Sequence, residues 1–335
     1  MPDPLNTSAP IDAVITWVNG QDPKHKSKRL FYQKDARQSH ATAVSHTRFD
    51  DQNEIYFCIA SILKYAPFIR KIFVIADDQE PLHLGAFSKE GLCAPDRIHL
   101  VDHTHIFRGY EDVLPTFNSR TIETMLWRIE ALAEQFVSFN DDFFLNQPSQ
   151  PSAFFLDGQP ILHGTWEKSE LRSFKNRKRA LLRKLGLKKK AKRANFRTIQ
   201  NRAAQLAGVE KHYFLYDHIP RPARKSVFAA YFEQNPDILR AQIQHKFRDA
   251  DQFTPLSLAY HLEINRFGVT PQAPASLAYF HPTENPGRDW LTSIGDASTA
   301  FACVQSLDEC PADLARDIRQ VMTNKFQDYM PQALR

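Results

Sequence analysis

With 335 residues, 42% of them hydrophobic and 12% aromatic, the chain has enough apolar material for a sizeable core in one or two domains. That balance excludes general disorder, and no run approaches the roughly 20 apolar residues of a membrane-spanning helix. The net charge of +5 is unevenly spread: residues 168–193 hold thirteen Lys or Arg and one acid, Glu170, so the rest of the chain is net negative.

The first ten residues lack the basic flank and apolar run of a signal peptide. Cys58, Cys93, Cys303 and Cys310 are scattered without CxxC or metal-type spacing. Together these features predict a cytoplasmic protein with reduced thiols. Residues 11–18 (IDAVITWV) read as a buried strand ending in an Asn19-Gly20 turn, and Asp22-Pro23 opens a polar helix to about residue 34. Residues 54–65 form a helix with Ile55, Ile59, Ile62 and Leu63 on one face, stopped by Pro67. Residues 71–76 (KIFVIA) are a second strand, followed by Asp77-Asp78, and residues 98–101 a third. A further helix is predicted over about 119–134, with Ile122, Leu126, Ile129 and Ala133 inward. Residues 136–140 (FVSFN) are another strand, ending in Asp141-Asp142. Beyond the basic run, helical patterns follow at 197–207, 224–234, 236–245, 255–266 and 312–326.

This order predicts an α/β fold: a mostly parallel central sheet with helices on both faces (Rossmann-like), and a largely helical second half. The expected division is an α/β region over 1–165, a basic amphipathic helical insertion over 166–197, and a helical region completing the site over 198–335. Ligands of such sheets collect at the carboxyl ends of the strands. Three polar clusters fall there, at residues 19–22, 77–78 and 140–142.

Asn140-Asp141-Asp142 after an apolar strand suits a hard divalent cation, which takes oxygen ligands and leaves positions open to phosphate; a turn with a helix cap is the plainer use of the same residues. Asn118 or Ser119 can cap the next helix, whose free N–H groups suit a phosphate. On that helix Glu123 and Trp127 share a face, and Glu123 alone reads as a solvated first-turn acid. His218-Ile219-Pro220-Arg221-Pro222 is stiffened by its prolines, and a His held there can serve as a general base or acid. His212, His261 and His281 read as structural. Arg248 is suited to bidentate pairing with phosphate, or to the open surface. The basic run, with its interleaved leucines, fits an amphipathic helix on anionic lipid or a binder of anionic polymer. No zinc finger, RNP or helix-turn-helix pattern supports specific nucleic-acid binding.

In order, ITWVNGQDP (15–23), RFDDQNE (48–54), YAPFIRKI (65–72), LPTFNS (114–119), Ile122-Glu123, Arg128-Ile129, NDD (140–142), HIPRP (218–222) and Phe247-Arg248 resemble the Stealth family of sugar-phosphate transferases. Bacterial capsule polymerases and the lysosomal-enzyme N-acetylglucosamine-1-phosphotransferase belong to that family. Tyr56 and Ala60 depart from it, standing where many relatives have arginine. FACVQS (301–306) departs too, lacking the Asn-Asp pair that often follows an apolar strand there, so the resemblance assigns nothing near Gln305.

The resemblance implies a GT-A-like variant of the α/β fold and a nucleoside-diphosphate-sugar donor, often a UDP-hexose. It also implies a saccharide acceptor, and a phosphodiester product formed with loss of nucleoside monophosphate in capsule or exopolysaccharide synthesis. It implies that Asp142, with Asp141, places Mg2+ (or Mn2+) on the diphosphate and that Arg248 steadies the phosphoryl oxygens. His218 would then move the proton, with Glu123 orienting it or serving as the alternative base. Trp17, Asn19 and Gly20 would hold the nucleotide, with Asp22, Arg48, Asp51, Asn118 and Arg128 completing the donor site. For such an enzyme the basic residues 168–193 would hold the chain peripherally at the inner, anionic face of the cytoplasmic membrane. Two other readings stay open: a metal-dependent glycosyltransferase using the same donors, and a non-enzymatic binder of membrane or anionic polymer through the basic run.

Overall fold

The computed structural model describes residues 9–35, 52–169 and 196–335. Arg48, Asp51 and nearly all of the basic run lie outside the described residues. In chain order the first half comprises β1 (Ile11–Thr16), α1 (Pro23–Asp35), α2 (Glu54–Tyr65), β2 (Ile69–Ala76), α3 (Ala86–Lys89), β3 (Ile98–Asp102), α4 (His103–Ile106), α5 (Ser119–Met125), β4 (Gln135–Asn140) and β5 (Phe143–Leu145). A short hairpin, β6 (Phe155–Leu156) and β7 (Gln159–Pro160), precedes β8 (Thr165–Lys168). The second half holds α6 (Phe196–Leu206), β9 (His212–Leu215), β10 (Arg221–Arg224), α7 (Lys225–Gln234), α8 (Pro236–Ile243), α9 (Pro255–Phe267), β11 (Leu277–Phe280), α10 (Asp289–Ser293), β12 (Phe301–Val304) and α11 (Ala312–Phe326).

The central sheet has the order β10-β4-β1-β2-β3, with β4, β1, β2 and β3 parallel and β10 antiparallel at the edge. Its inner strands are buried on both faces, so they read as largely apolar runs, interrupted at the buried Asp12 and Ser138. Strand alternation divides them between two cores. Ala13, Ile15, Val137 and Phe139 pack with Ile55, Ile59 and Ile62 of α2 and Ile318 and Met322 of α11. Val14, Phe73 and Phe136 pack on the other face with Met125 of α5, Phe228 of α7 and Tyr260 of α9. Helices therefore cover both faces, as expected of the α/β fold. The second half is largely helical, as the sequence predicts, but four short strands thread through it.

Two of those strands, β10 and β12, join the chain around β4 and β5. HIPRP runs into β10, where Arg221 pairs with Ser138 and Pro222 with Val137. An edge position suits a proline, which has no N–H to give a further strand. A second sheet, β11-β12-β5, sets β12 antiparallel to β5, and the Val304 N–H bonds the Asp142 carbonyl at 3.1 Å.

The helix predicted over 119–134 ends at Met125 in a single 3-10 turn, Leu126–Arg128. Its expected continuation is drawn into other bonds. The Ala133 N–H goes to the buried Asp12 carboxylate at 2.7 Å, and the Ala131 carbonyl accepts from Arg70 at 2.8 Å.

Candidate active site

Strand register builds the site. Thr16 lies level with Ile75 on one side and Asn140 on the other, and Ala76 lies level with Asp102. Trp17, Asp77, His103 and Asp141-Asp142 therefore leave the sheet at one edge, where a cavity of about 700 Å³ opens. The chain proceeds from β1 outward to β2 and β3, then returns to place β4 on the other side of β1. This is the switch point at which open α/β sheets bind ligands. The cavity's other walls come from the start of α5, from Arg248 to Thr254, from Phe196 and Tyr216–Arg221, and from Tyr279 and Gln305 with their neighbours.

Asp142 is the most constrained group in the cavity. Burial pushes its carboxyl up to about 6, against the opposing influence of Gln305 and the Arg221 charge. One oxygen, Oδ1, has no hydrogen-bond partner, while Oδ2 lies 3.9 Å from the Cys303 thiol. A buried carboxylate oxygen without a donor is costly and fits a group completed by a ligand. Among the described residues no cluster of three or more His, Cys, Asp or Glu side chains forms a metal cage. Asp141 and Asp142 instead offer two carboxylates, the donor set of a cation whose coordination is finished by phosphate oxygens and water.

His218 is held by rings. Phe196 stacks with it at 5.1 Å between centroids and Tyr279 at 5.3 Å, both within about 30° of parallel. Burial first, and then the Arg221 charge, lower its pKa to about 4, so the imidazole is neutral near pH 7. Among carboxylates, Glu284 is the one whose charge acts on His218. Glu123, by contrast, is 7% exposed and its charge acts on Arg221 and Tyr216. It faces the cavity, not solvent as a first-turn acid would. Arg248 lines the cavity and donates to Ser119 Oγ at 2.6 Å.

The remaining candidates separate. Trp17 lines the cavity. Asn19 shapes the turn, its Oδ1 accepting from the Gln21 N–H and its backbone exchanging two bonds with the Gln79 amide. Gly20 belongs to that turn, and Asp22 accepts from the His25 N–H at the start of α1. Asn118 borders the cavity but is fully buried, giving its amide to the His245 carbonyl and to Gln252 and accepting the Arg120 N–H. The Arg128 guanidinium is spent on the carbonyls of Ile106 and Arg108.

Sequence reading missed Arg221, Gln305, Tyr279 and Phe196. Arg221 is buried, donates to Asn140 Oδ1 at 2.7 Å and lies over the Phe143 ring at 5.1 Å. Gln305 follows β12 and accepts from the Tyr279 hydroxyl at 3.0 Å, so one chain of contacts joins His218, Tyr279, Gln305 and Asp142. The position of Arg221 in the HIPRP segment was the available signal. For Gln305 the signal was its place in FACVQS, though the missing Asn-Asp pair assigned it no role; Tyr279 and Phe196 had none, because only the pairing of β11 with β12 and the packing of α6 bring them in.

Fold and cavity define an α/β protein with a polar ligand site at the carboxyl edge of a parallel sheet. Residues 9–35 match Stealth protein conserved region 1 and residues 48–161 match Stealth protein conserved region 2. It is 43% identical over 146 residues to an exopolysaccharide phosphotransferase of Streptomyces coelicolor, covering 44% of this chain and 25% of that one. It is 39% identical over 151 residues to a capsular polysaccharide phosphotransferase of Haemophilus influenzae, covering 45% and 39% respectively. An exopolysaccharide phosphotransferase of Nocardia farcinica aligns over 98% of this chain and 62% of its own length, at 27% identity. The chain thus spans less than two thirds of each of these relatives. Among the described residues no helix is long and apolar enough to cross a membrane.

Proposed function

We propose that this protein transfers a sugar 1-phosphate from a nucleoside-diphosphate sugar, a UDP-hexose by preference, to a saccharide hydroxyl. A phosphodiester forms and nucleoside monophosphate leaves, in the synthesis of a capsular or extracellular polysaccharide. The observation that carries the reading is the convergence, in one cavity at the sheet's switch point, of Asp142 with its unpartnered oxygen, the neutral His218 and Arg248. The phosphotransferase names of the aligned relatives support the same class.

Phosphoryl transfer asks a protein for alignment and charge stabilisation more than for covalent help. Asp142 and Asp141 would hold Mg2+ or Mn2+, which when bound supplies positive charge to the diphosphate oxygens. Arg248 contributes a second, fixed positive charge at the transferring phosphoryl group. The neutral imidazole of His218 accepts the proton of the attacking hydroxyl as its oxygen bonds to phosphorus. Glu123 keeps the buried Arg221 guanidinium compensated, or serves as the alternative base. Trp17 forms part of the wall for the nucleotide.

The competing reaction is glycosyl transfer from the same donors, which breaks the anomeric C–O bond and releases nucleoside diphosphate. Incubating the protein with UDP- and GDP-sugars, Mg2+ and saccharide acceptors distinguishes them by the nucleotide released. Monophosphate is expected, and Asp142→Asn should lower its release at least 100-fold while leaving the thermal transition intact. Diphosphate release, or an Asp142→Asn rate near that of the unaltered chain, would refute the proposal.

A further inference from the structure

We propose that Phe196, Asp217, Tyr279, His281 and Glu284 form the acceptor subsite, which takes an uncharged saccharide terminus and presents one hydroxyl to His218. The inference rests on the reaction proposed above and adds the location and chemistry of the second substrate.

Sheet order supplies the first reason. Across the carboxyl edge, β10 with His218 before it is followed by β4 with Asp141-Asp142, then β1 with Trp17, β2 with Asp77 and β3 with His103. The carboxylates suited to the phosphoryl group thus lie between the β1–β3 side and the His218 side. Phosphoryl transfer runs in line, with attacking and leaving oxygens on opposite sides of phosphorus. If the nucleotide occupies the β1–β3 side, the acceptor oxygen must arrive from the His218 side.

The chemistry of that wall supplies the second. Phe196, His218, Tyr279 and His281 form a row of rings along the cavity, with neighbouring centroids 5.1, 5.3 and 6.5 Å apart. His218 lies within this row, stacked with Phe196 and with Tyr279. Phe196, 36% exposed, keeps apolar ring surface open, the kind of surface that packs against the C–H face of a sugar. Around the rings stand groups that bind hydroxyls. Asp217 and Glu284 supply carboxylate acceptors, with Glu284 Oε2 3.2 Å from the Tyr279 hydroxyl oxygen. The Thr283 N–H donates to His281 Nδ1 at 3.2 Å, which leaves the proton of a neutral ring on Nε2 as a donor. Among the described residues that line this wall, Arg221 is the one cation and is buried, while Asp217 and Glu284 are acidic, so the wall favours an uncharged terminus over a uronate or phosphorylated one.

The test is direct binding to the intact protein, read by saturation-transfer NMR. The probes are neutral hexose and N-acetylhexosamine di- to tetrasaccharides and a uronate-terminated disaccharide. At least one neutral probe should bind, and more tightly than the uronate. Phe196→Ala and Glu284→Ala should each weaken it 10-fold or more, while UDP-sugar affinity stays within twofold. Both side chains are partly or fully open to solvent, so loss of fold is not the expected consequence, and unchanged donor affinity monitors it. Absence of binding by every neutral probe, equal binding of the uronate, or unchanged affinity in both variants would overturn the subsite. Failure of the reaction itself is read separately, as release of nucleoside diphosphate instead of monophosphate.

Discussion

His218 is stacked with two rings and its charge is suppressed, and these two facts set what it can do. A neutral imidazole keeps a lone pair for the acceptor proton across the physiological range, but a pKa of about 4 makes it a weak base. Binding an anionic diphosphate beside it would raise that value, since nearby negative charge favours the imidazolium. At saturating Mg2+, which keeps Asp142 ionised, the acidic limb of kcat/KM should therefore lie below pH 5, and the limb of kcat should lie higher. His218→Asn should slow transfer at least 100-fold and leave the remaining rate without that limb. A pH–rate series for both chains checks this, and a kcat/KM limb near 6.5 would mean an exposed, ordinary histidine. At this scale the sequence was informative where chemistry is local. An acidic pair after an apolar strand and a His in a proline-stiffened segment can be seen in the chain, and both border the cavity. Gln305 and Tyr279 come from strands 130 or more residues beyond β4, and no local pattern connects them to it.

The sheet's opposite edge shows how elements are fixed without any part in the chemistry. Asp12 on β1 is fully buried, yet it takes two bonds from Arg70 (2.9 and 2.6 Å) and one each from the N–H groups of Lys71 and Ala133. It ties β1 to β2 and to the segment entering β4. Arg70→Ala would leave that carboxylate buried without its hydrogen-bonded guanidinium; since Arg70 is 42% exposed and two backbone N–H donors remain, the change costs about 1–3 kcal/mol. Urea unfolding should show a loss of this order, with transfer per folded molecule unchanged because Asp12 sits at the end of the strand away from the cavity. The same bond explains where helix prediction overran. The spacing of Ile122, Leu126, Ile129 and Ala133 is helical, but Asp12 takes the Ala133 N–H, a tertiary bond that periodicity does not encode. The long strands and α2 were legible because burial on a sheet or a single face leaves a regular pattern. The four-residue strands β9 to β12 are too short to show a period, and their pairing depends on distant partners.

For the whole molecule, buried histidines set the response to acid. His25, His218 and His261 are each lowered to about 4 by burial, and His103 is lowered by burial as well. His261 shows why neutrality is required. Its Nε2 accepts the Phe214 N–H at 2.8 Å and its Nδ1 faces the Ser257 carbonyl at 2.6 Å, so the proton sits on Nδ1. Protonating Nε2 would set two donors against each other in a site with no water access. Between pH 6.5 and about 4 the unfolded chain binds protons at these positions that the folded chain refuses, so stability is complete above 6.5 and falls as pH drops through that window. Asp142, raised to about 6, and Asp217 and Glu263, also raised by burial, act in the opposite sense. Near pH 6 the histidines outnumber these carboxylates, so the net effect is acid destabilisation. Urea midpoints should fall steadily from pH 7 to pH 5, and His261→Gln, which can still accept from Phe214 and donate to Ser257, should flatten that slope by about one proton. A midpoint that does not change between pH 7 and 5, or a slope untouched by the substitution, would show that the histidines titrate in the folded chain as they do in the unfolded one.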